Sequence, residues 1–182
     1  MTPRIVADRF RSKQYTSADV RSVHNALASG DAKFLGVTVF PYIKYVENID
    51  EVALLRYLSA IQDVYSVHEI ISGLSIRGCK NPQFADEVLR FAQGVEWDTD
   101  GLARTGAISA LPRVTGCTEQ IKSTLRLAYR SGDTSLRDVA LEAAQEYFGI
   151  PYADIQWGNG DGDLVDKMPP ALLKWLGVEI SH

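Results

Sequence analysis

Three short stretches of this sequence hold residue types that can do chemistry. Asp98-Thr99-Asp100-Gly101 opens like a calcium loop, and Asn159, Asp161 and Asp163 alternate as oxygen donors between glycines. His68-Glu69 is half of a zinc-protease signature. A calcium loop of the EF-hand type needs acids at positions one, three and five, glycine at six and glutamate at twelve. Counted from Asp98, the fifth position is Leu102 and the twelfth is Ser109. Counted from Asn159, the sixth is Leu164 and the twelfth is Pro170. Both loops fail. His68-Glu69 lacks the second histidine a zinc site requires, His24 has no acid or cysteine at ligand spacing, and His182 is terminal. The glycines around Asp161 and Asp163 spell GxGxG, but no strand precedes them and the aspartates repel phosphate. No nucleophile elbow, P-loop lysine or Cys-His pattern is present. The expectation is a chain with no metal, no cofactor and no catalytic residues.

The aspartates have a structural use instead. Asp98 or Asp100 can accept from the orphan N–H groups that open the next helix, and its charge suits the helix dipole. Asp133 stands in the same place one repeat later. Arg104 and Arg137 each follow an aspartate by four residues, so Asp100–Arg104 and Asp133–Arg137 are neighbours on a helix surface. That spacing favours a ladder of ion pairs over a cationic binding face.

The elements that position these residues repeat. Leu55-Arg56-Tyr57-Leu58 recurs as Leu89-Arg90-Phe91-Ala92 and as Leu125-Arg126-Leu127-Ala128. Each copy lies on an apolar stripe of helical period: Val52, Leu55, Leu58 and Ile61; then Val88, Phe91, Ala92 and Val95; then Ile121, Leu125 and Ala128. The three arginines read as solvated residues with buried stems. A second helix follows each copy. In two of them Asp100, Arg104, Ala107 and Ala110 match Asp133, Arg137, Ala140 and Ala143 at a constant offset. The earlier one, Ser66 to Ile76, keeps the period but not the residues. A helix pair repeated at this spacing cannot cover its own apolar face and stacks on its neighbours.

An aspartate before the second helix, an arginine one turn on and then spaced alanines make residues 50–149 resemble the HEAT-repeat family. The resemblance implies an all-α fold: a short α-α superhelix of HEAT-like helix pairs in one domain. Residues 1–49 form an N-terminal helical cap and residues 150–182 a C-terminal loop and capping helix. In the N-terminal cap, "TSADVRSVHNALASGD" reads as a helix with Thr16 or Ser17 as N-cap and Gly30 as C-cap. Residues 31–47 read as a helix broken near Pro41. "PPALLKWLG" reads as a short final helix.

Composition narrows function. The chain has 182 residues, 46% hydrophobic and 23% charged, with a net charge of −4. That suits one globular domain, and no apolar run reaches the length needed to cross a bilayer. The start shows no secretory signal. Cys79 and Cys117 stand far apart and read as reduced thiols, so the expected compartment is the cytoplasm. An acidic chain is poorly matched to nucleic acid and well matched to a basic protein. Proteins the chain resembles mostly bind other proteins, which implies a non-enzymatic protein-binding module. A concrete form is an immunity-type inhibitor that masks a basic toxin or nuclease. Asp98, Asp138, Glu142, Tyr147, Trp157, Asp161 and Asp163 are the residues expected to meet the partner. The resemblance also extends to HEAT-like proteins that bind DNA or repair its bases, which need a basic concave face. HEAT-like hydroxylases need His-Glu metal pairs that this sequence lacks.

Overall fold

The computed structural model describes residues 2–116, 118–149 and 170–176. Among these, every regular element is helical. The helices are α1 (Pro3–Arg11), α2 (Ser17–Ser29), α3 (Ala32–Tyr45), α4 (Glu51–Ala60) and α5 (Val64–Arg77). After them come α6 (Pro82–Gln93), α7 (Leu102–Ala110), α8 (Thr118–Tyr129), α9 (Thr134–Tyr147) and α10 (Pro170–Leu176). A single 3-10 turn, Leu111–Arg113, extends α7.

Short polar residues decide where the helices start. Asp31, Asp50, Asp63 and Asp133 each sit at an N-cap and accept a backbone N–H from the first turn of α3, α4, α5 and α9. Asn81 does this for α6, with Pro82 at its first position. Thr16 and Asp19 close a reciprocal capping box on α2, and Gly30 ends that helix in the left-handed conformation. Five aspartates, Asp19, Asp31, Asp50, Asp63 and Asp133, thus serve helix starts.

The helices then pack in two interleaved series. α1 lies on α3, α3 on α5, α5 on α7 and α7 on α9. α2 lies on α4, α4 on α6, α6 on α8, and α8 on α10. One buried apolar cluster runs through both, from Val6 on α1 to Leu176 on α10. The expected stripes are buried at Leu55, Leu58, Val88, Phe91, Ala92, Ile121, Leu125 and Ala128. Val52 departs from its stripe and is 59% exposed, because α4 buries Leu54 and Tyr57 beside Leu55 and Leu58. Small residues set the approach of α5 to α7. A methyl added at Gly106 would stand 2.5 Å from His68 Nδ1, so only glycine fits against that ring without a shift. Ala107, Ala110, Ala140 and Ala143 are all buried, as their spacing implied.

One sequence expectation needs correction. Residues 31–47 hold no break: α3 runs unbroken through Pro41. Proline removes one N–H whose acceptor would be the Val37 carbonyl four residues back. Val37 is exposed, so water can satisfy that carbonyl and the helix tolerates the loss. Within the expected N-terminal helical cap, α1 buries Val6, Ala7 and Phe10 against the core.

Candidate functional site

The stretch that looked like a metal loop is the start of α7. Both oxygens of Asp98 are engaged there, accepting the N–H groups of Ala103 at 3.1 Å and Arg104 at 2.8 Å. Asp100 accepts the Leu102 N–H at 3.3 Å. Gly101 takes the N-cap position itself, in the left-handed conformation. Two aspartates thus satisfy the orphan donors that a single Asp133 serves on α9. Among the described residues no group of three or more His, Cys, Asp or Glu side chains could hold a metal ion.

The ladder of ion pairs does not form at Arg104. Its Nε donates to the Ala92 carbonyl at 3.2 Å, at the end of α6. Arg137 Nε lies 3.9 Å from Asp138. The reason is general to this fold: helix C-termini leave carbonyls without partners and carry partial negative charge. Arg77 at the end of α5 donates to the carbonyls of Ile43, Val46 and Glu47, which close α3. Arg126 donates to the Trp175 carbonyl at 2.9 Å and lies over its ring, and Arg130 donates to the Leu176 carbonyl. Arg90 reaches the Leu58 carbonyl at 3.4 Å while stacking on Phe91. So Arg90 and Arg126, expected as solvated residues, tie their helices to a neighbour. Arg56, in the same repeat position, meets no acceptor among the described residues and stays exposed.

The residues expected to contact a partner fall into separate places. Asp98 caps α7. Glu142 is exposed on α9, one turn beyond half-exposed Asp138. Tyr147 packs against the core and edge-on to Phe148, whose ring meets Trp175 at 4.9 Å. Trp157, Asp161 and Asp163 lie outside the described residues, as does Cys117. Cys79 is buried and unpaired, with Sγ donating to Glu51 at 3.6 Å. Burial pushes its thiol up from the ordinary range, so it is a poor thiolate nucleophile.

What the structure does bring together is an acidic groove. Glu96, Asp98, Asp100 and Asp133 line about 420 Å³ between the α6–α7 connection and the start of α9, with Arg104 as their one cation. Charge is uneven along the whole chain. Residues 1–49 hold seven Lys and Arg against four Asp and Glu, whereas residues 50–182 hold twelve against nineteen. At the other end, Lys13, Lys44 and Arg77 line a groove of about 740 Å³ with Tyr15, Tyr45 and Glu47. Sequence periodicity did not reveal either groove, because each draws residues from several elements.

No helix among the described residues is long and apolar enough to cross a membrane. No protein-family model matches the chain, and neither does any curated protein or solved structure.

Proposed function

We propose that this chain is a short HEAT-like α-solenoid and serves as a non-enzymatic protein-binding module for a basic partner. The solenoid reading is supported by the alternate packing of helices, each on the next but one, and by the repeat spacing over residues 50–149. The binding reading is carried by one observation: the acidic groove at the start of α7 and α9 holds four carboxylates against one arginine, and that arginine is turned to the Ala92 carbonyl. Such a surface steers a cationic partner and sets its orientation. An immunity-type inhibitor that covers a basic toxin or nuclease in the cytoplasm is the concrete form of this reading.

The test combines capture with charge reversal. The tagged chain recovers a basic protein from its own cells, and raising the salt weakens the complex. A Glu96→Lys, Asp100→Lys double variant, which leaves the double cap at Asp98 in place, loses that capture while keeping its helical circular dichroism. Undiminished capture by the folded variant overturns the reading.

A second reading rests on the opposite end. The groove with Lys13, Lys44 and Arg77 has cations and tyrosines of the kind nucleic acid uses. It predicts salt-sensitive DNA binding that a Lys13→Glu, Lys44→Glu variant abolishes.

A further inference from the structure

The three equivalent arginines of the repeat differ in one respect. Arg90 on α6 reaches back to the Leu58 carbonyl of α4, and Arg126 on α8 reaches the Trp175 carbonyl of α10. Arg56 on α4 reaches no such carbonyl among the described residues. A cleft of about 630 Å³ lies between α2 and α4. Arg56 lines it with its charge unmatched by any ion pair or hydrogen bond among the described residues. The cleft is of the size small-molecule sites have.

A second polar group lines the cleft. His24 on α2 lines it, and its Nε2 lies 2.9 Å from the hydroxyl of Tyr42. Tyr42 is fully buried, and its oxygen already accepts the Asp50 N–H at 2.9 Å. Its own proton is then best placed on His24 Nε2. In the tautomer that accepts this proton, His24 carries its own on Nδ1. The imidazole meets the Tyr42 ring edge-on at 5.8 Å. His24 therefore keeps one ring nitrogen uncommitted among the described residues.

The rest of the lining is mostly apolar. Leu27, Ala28, Ala53, Ala60 and Ile61 form walls. Asp50 is the one carboxylate there, and its Oδ1 accepts the Ala53 N–H at 2.9 Å as the α4 cap. Tyr57 belongs to the lining, but its hydroxyl is buried from solvent.

We propose that the α2–α4 cleft binds a small organic anion, a carboxylate or phosphate ester with an apolar body. Arg56 is its charge partner, the uncommitted ring nitrogen of His24 its donor, and the alanine and leucine walls hold the apolar part. An unpaired guanidinium is suited to either anion because its donors form a planar fork. This site lies on other helices than the acidic groove and stands or falls separately from the protein-binding reading.

The experiment uses the full chain with benzoate and phenyl phosphate as probes and benzyl alcohol as the neutral control. Imidazole nitrogen resonances of His24 and the Nε resonance of Arg56 are followed by NMR. Either anion at millimolar concentration shifts both residues saturably, and the tighter of the two names the ligand's head group. Benzyl alcohol gives no saturable shift. Arg56→Gln, a change at an exposed position that leaves the fold intact, weakens anion binding about tenfold, the equivalent of ~1.4 kcal/mol. The proposal is overturned if neither anion saturates, if benzyl alcohol binds as well as the anions, or if Arg56→Gln leaves the affinity unchanged.

Discussion

The two ends of the helical array are held together by different means. At the first end, rings fill the space: Phe10 of α1 packs at 5.5 Å from Tyr15 and 5.8 Å from Tyr42, and Tyr42 and Phe10 are both fully buried. At the other end, α7 and α9 meet through small side chains, with Ala103, Ala107, Ala140 and Ala144 fully buried. Large rings make particular contacts, here and again at Tyr147, Phe148 and Trp175, but at no repeat spacing. Small residues permit close approach of helices at every step, so they recur at the repeat spacing. That is why the repeat is legible from residue 100 onward and fades towards the N-terminus.

Three substitutions sharpen this contrast, taken from the largest effect down. Phe10→Ala removes a fully buried ring and leaves a cavity that the neighbouring rings cannot fill. Urea unfolding should show a loss of about 3–5 kcal/mol, and a loss under 1 kcal/mol would mean that α1 is not an integral part of the core. Ala107→Leu tests the small-residue end. Extra methylenes force α7 away from its neighbours, and the expected cost is about 1–3 kcal/mol. A neutral or stabilising result in the same unfolding assay would show slack in the α7 packing.

The smallest effect is Thr16→Ala on the α2 cap, about 1 kcal/mol at neutral pH. Its pH dependence is more telling than its size. Burial alone would raise the Asp19 carboxyl, but hydrogen bonds from the Thr16 hydroxyl and N–H, with the Arg9 guanidinium at 3.1 Å, hold it below the ordinary 3.8 of an aspartate. A carboxyl lowered on folding stabilises the protein fully above its unfolded value. It loses that contribution as pH falls through the folded value. The gap between wild type and Thr16→Ala should therefore narrow below about pH 3.8 in acid unfolding. A constant gap down to lower pH would assign the whole effect to the neutral cap bond.

Some features needed no tertiary contact to be read. Aspartate before a helical stripe specified the starts of α4 and α9, because the cap bond is made within four residues of chain. The calcium-loop patterns failed on ligand positions that are equally local. Arg104 was misread for the opposite reason. Its spacing from Asp100 permits an ion pair, but an exposed pair contributes little, about 0–1 kcal/mol, and the unpartnered end of α6 lies within reach. The groove residues were equally hidden. Glu96 and Asp133 are far apart in the chain and meet only because α7 packs on α9.

The sequence by itself determined the helical class, the helix starts and the small-residue repeat, since each depends on a few neighbouring residues and the helical period. Only the tertiary structure decided what each arginine does. Arg56, Arg90 and Arg126 occupy one position in one motif, and locally only Arg90 stands out, paired with Glu87 three residues before it. Arg90 finds the Leu58 carbonyl of the preceding helix in its series, and Arg126 the Trp175 carbonyl of the following one. Arg56 meets neither kind of acceptor among the described residues and lines the cleft between α2 and α4.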